Sequence, residues 1–281
     1  MFDDAVVGED LNSLLVSVVM PVFNAADTVI DSIHSVIQQS HQNWELLVVD
    51  DGSTDGSPQL IESTFSDARV RVVRSNARGG AAQARNTAIS LASGRFVAFL
   101  DADDLWLPQK LEQQVALMLT KGAPIAYCAY RKMTEEGQIG DEVVRVPPEL
   151  DYEQLLRGNV MGCLTVMFDR QCFPFARIPL IQLKAGFVKW QPWFPGGVIH
   201  EDYACWLALL REARDRGFGV AVGIDRPLAV YRVRSHSRSS NKARAALAQW
   251  IIYRQEERLG LLKSLWCFAN YAMGGIRKHA I

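Results

Sequence analysis

No uninterrupted apolar run in this 281-residue chain is long enough to cross a bilayer. The nearest, Leu259 to Ile276, is broken by Lys263 and Asn270. None of the five cysteines (Cys128, Cys163, Cys172, Cys205 and Cys267) stands in a C-x-x-C pair, which argues against a zinc knot or a thioredoxin-like site. Such isolated cysteines read as small buried hydrophobes in a reducing compartment. Excess charge is missing too: the formal net charge is −1, which removes any global case for nucleic-acid binding. The first residues, MFDDAVVGEDLNSLL, lack the basic start and apolar core of a secretory signal, so a mobile leader over 1–13 is expected. No Walker A motif, no G-x-G-x-x-G fingerprint, no internal repeat and no low-complexity tract occurs. What remains is ordinary globular composition, with 49% hydrophobic and 22% charged residues, which argues against a mainly disordered chain.

The first hundred residues alternate apolar runs with amphipathic ones. Leu14 to Met20 reads as a strand buried on both faces and stopped by Pro21. Asp27 to Gln38 places Val29, Ile33, Val36 and Ile37 at helical spacing. Trp44 to Val49 is a second buried strand, Ser57 to Phe65 a short helix, and Val70 to Val73 a third strand. The Ala-rich Gly79 to Ala92 is helical and Phe96 to Leu100 a fourth strand. This alternation predicts an α/β fold with a doubly wound, mostly parallel sheet. Such sheets bind ligands beyond the carboxyl ends of their strands. The polar residues lie there: Phe23-Asn24 after the first strand, Asp50-Asp51 after the second, Asp101-Ala102-Asp103-Asp104 after the fourth. Downstream, a helix runs from Pro108 to about Lys121, Pro124 to Tyr130 and Cys163 to Phe168 read as strands, and Pro174 to Pro195 as a loop. Glu201 to Arg214 is helical, Val220 to Val222 and Leu228 to Val233 are strands, and the chain is largely helical from Lys242.

In an extended segment Asp101 and Asp103 point the same way. Paired carboxylates repel unless a proton or cation intervenes, and oxygen ligands suit Mg²⁺ or Mn²⁺ carrying substrate phosphates. Asp104 alone also fits a charge complementing a helix N-terminus. Asp50-Asp51-Gly52-Ser53 is a tight Asx-Gly turn that serves equally as a capped strand–helix connection.

Taken in order, SVVMPVFNAADTVIDSIHSVIQQSHQNWELLVVDDGSTDGS (Ser17 to Ser57) and GGAAQARNTAISLASGRFVAFLDADDLWLP (Gly79 to Pro108) resemble family 2 glycosyltransferases of the GT-A fold. The resemblance implies a catalytic domain over 14–240, with a nucleotide-binding half (14–108) and an acceptor-binding half (109–240), followed by a helical segment over 241–281. It implies that Pro21, Phe23, Asn24 and Asp51, with Asp50 nearby, hold the nucleobase and ribose. A carboxylate suits a uracil-type imide N–H, and Phe23 can stack on the base. Arg85, in Ala84-Arg85-Asn86, would meet nucleotide or diphosphate oxygens, or else form a salt bridge on a helix surface. The D-x-D element maps onto Asp101, Ala102 and Asp103. Asp103 is the expected ligand of a Mn²⁺ or Mg²⁺ cofactor, with Asp101 on ribose or a metal-bound water. Asp202, beside Glu201 in His200-Glu201-Asp202-Tyr203, matches the family's catalytic base for an inverting transfer; the same pair also fits helix N-terminal charge. His236, in a basic stretch with Arg232, Arg234 and Arg238, reads as a third metal ligand, as a phosphate contact when protonated, or as a solvated histidine.

The second half is similar to exopolysaccharide, O-antigen and teichuronic-acid-type bacterial transferases. That likeness implies a nucleotide-sugar donor, a UDP-sugar by family habit, and a saccharide acceptor linked to polyprenyl diphosphate. It implies no nucleic-acid partner and a cytoplasmic protein held peripherally at the cytoplasmic membrane face. Trp250, Trp266, Phe268 and Tyr271 beside Arg254, Arg258 and Lys263 fit either an interfacial helix or one packed on the protein's own domain. Two rivals are a metal-dependent sugar nucleotidyltransferase, which wants a basic Gly-rich loop where this chain has PVFNAAD, and a non-catalytic sugar-nucleotide binder.

Overall fold

The computed structural model describes residues 11–75, 78–173, 200–234 and 242–277. The Pro- and aromatic-rich loop expected at Pro174 to Pro195, and His236 and Arg238, lie outside these described residues. Of the expected leader, Leu11–Ser13 is described and forms a 3-10 turn.

The four apolar runs become strands β1 (Val16–Val22), β2 (Trp44–Asp50), β3 (Val70–Arg74) and β4 (Phe96–Phe99). They pair in parallel in the order β3-β2-β1-β4. Their side chains alternate between two cores. Val16, Val18, Met20 and Val22 of β1 pack with α1 (Val29–Ile37) on one face, whereas Val19 joins α3 (Gly80–Leu91) on the other. A strand buried on both faces needs apolar residues at nearly every position, which is why these runs do not alternate in polarity; the buried exceptions, Ser17 and Glu45, bond to each other (2.6 Å). α2 (Ser57–Thr64) closes the crossover from β2 to β3 with Ile61 in the first core.

Pro21 does not stop β1, which runs on to Val22. The amide of Leu100 donates to the carbonyl of Val19 and ends the β4 ladder. The nitrogen of Pro21, two residues on, faces the same side where no strand remains to be paired, so its missing N–H costs nothing.

Beyond β4 the sheet turns mixed. β5 (Leu105–Trp106) pairs antiparallel with the later strand β10 (Ala221–Arg232), and α4 (Lys110–Lys121) covers the face already held by α1. β6 (Ile125–Met133) forms a hairpin with β7 (Ile139–Val144), and the short β8 (Glu149–Leu150) leads into α5 (Tyr152–Leu155). Only Met167–Asp169 of the expected Cys163 to Phe168 strand is β (β9); Cys163–Thr165 is a 3-10 turn. β9 inserts antiparallel between β4 and β6. The expected two strands at 220–222 and 228–233 are one strand, β10, whose register on β6 slips between Ile224 and Ala229. A bulge there absorbs Pro227 and lets the strand bend.

α6 (Glu201–Asp215) follows, and the C-terminal part comprises α7 (Lys242–Ile251), a π turn over Ile252–Glu256 and α8 (Leu261–Arg277). This part docks on the α3/α6 core: Ile252, Tyr253 and Cys267 are fully buried there. The Tyr253 hydroxyl donates to the Leu156 carbonyl, and Glu257 accepts from both Tyr152 and Arg211.

Candidate active site

The carboxyl ends of β1, β2 and β4 open into one cleft of about 870 Å³, closed on the far side by the start of α6. Its lining includes Pro21, Phe23, Asn24, Asp51, Arg85, Asp101, Ala102, Asp103, Glu201 and Asp202. Every residue the sequence singled out is therefore on this wall except Asp50 and the undescribed His236. Asp50 lies beneath, where its carboxylate accepts from the Ser53 amide at 3.2 and 3.3 Å and shapes the turn.

The nucleotide side is built by two loops tied together. The Asn24 amide donates to Ser53 Oγ (2.9 Å), and the Thr54 amide donates to Asn24 Oδ1 (2.8 Å). Asn24 has a left-handed φ of 48°, a conformation Asn tolerates better than most side chains. Asp51 accepts from the amides of Gly79 (2.7 Å) and Gly80 (2.8 Å), the first residues of the α3 turn. Gly80 needs φ +81° to present its amide this way, which is a glycine requirement. Phe23 is 37% exposed, and the Arg78 guanidinium lies 3.9 Å from its ring centroid. Arg78 was not visible as a site residue in the sequence, because one Arg in a loop carries no periodic signal.

Asp101 to Asp104 is a turn, not the extended segment inferred from spacing: the Asp104 amide donates to the Asp101 carbonyl (3.1 Å). The turn still brings the carboxylates together. Asp103 is pushed up in pKa by burial and then by the charge of Asp101, with the Arg234 guanidinium pulling the other way. Arg234 Nε sits 2.7 Å from Asp103 Oδ2. Asp104 is raised well above the usual carboxylate range by burial, then by Asp103 and Asp101. It accepts from the Arg232 amide (2.8 Å), so it braces β10 rather than capping a helix.

Arg85 is the keystone. It is 4% exposed, with Nη2 2.6 Å from Asp101 Oδ1 and Nη1 3.2 Å from Glu201 Oε1. Burial disfavours its charge, but the neighbouring Asp101, ahead of Glu201, holds it firmly cationic. It joins the tip of β4 to the start of α6 and is a buried connector, not a helix-surface salt bridge. Asp202 follows Glu201 on the first turn of α6. Burial first, and then the Glu201 charge, raise its pKa, with Arg85 opposing. A carboxylate so placed is a stronger base than an exposed aspartate.

The donor set fits a hard divalent cation. Asp101 and Asp103 are adjacent oxygen donors whose mutual repulsion a cation relieves. Among the described residues no three His, Cys, Asp or Glu side chains form a closed cage. A cation held there would complete its shell from diphosphate oxygens and water, as Mg²⁺ and Mn²⁺ commonly do.

A mixed α/β sheet with carboxylates at neighbouring strand tips and an acidic helix start opposite them matches the arrangement that the sequence resemblance to GT-A transferases implies. The glycosyl transferase family 2 model matches residues 17–175. The chain is 39% identical over 265 residues to the putative teichuronic acid biosynthesis glycosyltransferase TuaG of Bacillus subtilis (strain 168), covering 94% of this chain and 97% of that one. It is 36% identical over 273 residues to the Escherichia coli protein UDP-Glc:alpha-D-GlcNAc-diphosphoundecaprenol beta-1,3-glucosyltransferase WfgD, covering 96% and 97%. Among solved structures, S. aureus TarS 1-349 in complex with UDP-GlcNAc superposes with a TM-score of 0.66 at 16% identity, over 92% of this chain and 72% of that one. The mannosyltransferase PcManGT from Pyrobaculum calidifontis, in complex with GDP-Man and Mn²⁺, gives 0.61 at 20% identity, over 94% and 75%. The protein belongs to glycosyltransferase family 2 and has the GT-A fold.

Proposed function

We propose that this transferase moves a sugar from a UDP-sugar, with inversion, to a hydroxyl of a saccharide linked to polyprenyl diphosphate. The observation that carries the reading is the convergence of Asp51, Asp101, Asp103 and Asp202 on one cleft. The activity named for the WfgD relative, a glucosyl transfer to a diphosphoundecaprenol-linked sugar, supports the acceptor class. The UDP-GlcNAc complex of TarS supports only that this fold accepts such donors.

In this reading Phe23, braced by Arg78, stacks on the base, and Asp51 at the head of the α3 turn marks the ribose and base end. Asp103 and Asp101 are the residues that would hold Mn²⁺ or Mg²⁺; the ion would supply positive charge to the departing diphosphate. Arg234 is placed to meet the same oxygens once its carboxylate partner is engaged elsewhere. Asp202 accepts the proton of the attacking hydroxyl as the new bond forms at the anomeric carbon, on the face opposite the diphosphate. Glu201, held by Arg85, orients the acceptor. The transition state is oxocarbenium-like, so the negative wall of Asp202 and Glu201 also stabilises developing positive charge. In this reading a nucleotide-sugar donor and a lipid-linked acceptor put the protein at the cytoplasmic membrane face.

A thermal-shift screen of UDP, GDP and dTDP with and without Mn²⁺ tests this. At a hundredfold excess over Kd a ligand stabilises by about 2.7 kcal/mol, or roughly 5–10 °C for a chain of this size. A shift confined to UDP and dependent on metal supports the donor assignment. No shift with any nucleotide removes it.

A further inference from the structure

α8 is apolar on two opposite sides. Ser264, Cys267 and Tyr271 point inward, with Cys267 and Ser264 fully buried. At 100° per residue, Leu265, Ala269, Leu262, Met273 and Trp266 fall in a stripe about 100° wide on the opposite side. There Leu262 is 84% exposed and Met273, Leu265 and Trp266 about half exposed (52%, 49% and 49%). A helix face that is apolar is ordinarily covered, so one with two apolar faces is ordinarily covered on both. The aromatic cluster noted in the sequence is not this stripe: Phe268 packs edge-to-face on Trp250 and tilted against Tyr271, with ring centroids 5.8 and 6.1 Å apart, and only Trp266 belongs to the outer face.

Three observations point to one occupant. Cations accompany the stripe: the Arg157 guanidinium lies 5.1 Å from the Trp266 ring centroid, and Arg254 and Arg258 are exposed just before the helix. Cations around an exposed Trp and aliphatic side chains are complementary to an anionic interface with an apolar interior. The stripe also lies close to the cleft. Gly162, on the cleft wall, is five residues from Arg157, a span of at most about 18 Å. Finally, α8 is held by the buried face of the C-terminal part and by the Lys263–Glu153 pair (2.8 Å), so the stripe is presented on a fixed support.

We infer that the outward stripe of α8 docks on an anionic lipid surface and sets the cleft mouth beside it. The inference rests on the lipid-linked acceptor proposed above and adds the surface that reaches it. Docking holds the enzyme where an acceptor diphosphate at the headgroup level can enter beside Gly162, while the apolar part of that acceptor stays in the bilayer. The bilayer covers Leu262, Leu265, Trp266 and Met273, and lipid phosphates face Arg157 and Arg258.

The test is flotation of the full chain with vesicles of phosphatidylcholine alone and of phosphatidylcholine with phosphatidylglycerol. The wild type should float with the anionic vesicles, and less so at high salt. Leu262→Ser/Leu265→Ser should lower vesicle partitioning at least about tenfold. Arg157→Gln/Arg258→Gln should weaken binding to anionic vesicles alone. All substituted side chains are exposed, so melting temperatures and the metal-dependent nucleotide shift should match wild type. The inference is overturned if the wild type floats with neither vesicle or if the serine variant floats equally well. A wild-type dimer that this variant converts to monomer also overturns it, because a second copy then covers the stripe. An intact nucleotide shift alongside lost flotation in the wild type discards the docking surface only; loss of the shift itself discards the donor reading.

Discussion

Replacing Arg85 with methionine should be among the most damaging single changes in the cleft. The guanidinium is 4% exposed and faces Asp101 at 2.6 Å and Glu201 at 3.2 Å. Methionine keeps most of the volume, so cavity formation contributes little and electrostatics decides the outcome. Removing one partner of a buried ion pair leaves the other charge uncompensated, a loss of roughly 3–5 kcal/mol. Asp101 is 32% exposed and is partly rehydrated, so the Glu201 side, 9% exposed, supplies most of the effect. We expect a destabilisation near the lower bound, about 3 kcal/mol, equivalent to a fall in Tm of roughly 6–12 °C. Arg85→Met/Glu201→Gln removes the stranded charge together with its partner and should recover about half of that loss. Chemical denaturation of the wild type, both singles and the double gives the coupling energy directly. A coupling below about 0.5 kcal/mol would show that Arg85 is not the connector between β4 and α6.

Phe23→Ala removes both the Arg78 contact and the proposed base platform. It should raise the donor KM roughly tenfold with little change in kcat, as steady-state kinetics would show. Asp103→Asn should abolish any metal-dependent part of the nucleotide thermal shift while leaving the fold intact. Gly80→Ala forces an alanine to φ +81° at the Asp51 contact and should cost about 1–2 kcal/mol in a denaturant melt. Asp202 has a folded-state pKa above its unfolded value, so the folded protein binds that proton more readily. The resulting penalty is absent below the unfolded pKa of about 3.9 and fully present above the raised folded value. Asp202→Asn should therefore melt higher than wild type at neutral pH and at the same temperature near pH 3, while wild-type turnover falls on acidification at a higher pH than an ordinary aspartate would give.

The parallel half of the sheet was legible because a strand buried on both faces leaves a nearly continuous apolar run, as in Leu46 to Val49. The polar strand tips followed from the same rule. The short edge strands were not legible. Ile139–Val144 is largely exposed and carries Gly, Asp and Glu, so no period of two marks it. The Asp225-Arg226-Pro227 step inside β10 looks like a loop locally and is a strand only because β6 lies alongside. Sequence spacing paired Asp101 with Asp103 by assuming an extended backbone, and the turn achieves the same neighbourhood by a different route. Tyr130 and Tyr231 read as ordinary strand aromatics, yet the β6–β10 pairing brings both to the cleft wall with ring centroids 6.3 Å apart. The role of Arg85 as a bridge needed α6 folded back on β4, a contact between residues 116 apart.

The claim that matters most is that one side chain across the cleft from the strand tips takes the acceptor proton. Measuring UDP-sugar binding and sugar transfer in parallel on wild type and Asp202→Asn addresses it. A carboxamide has nearly the same shape and cannot accept the proton, so donor affinity should stay within about twofold while transfer falls by at least about a hundredfold. Transfer by Asp202→Asn within a factor of a few of wild type would contradict the account, whatever its donor affinity.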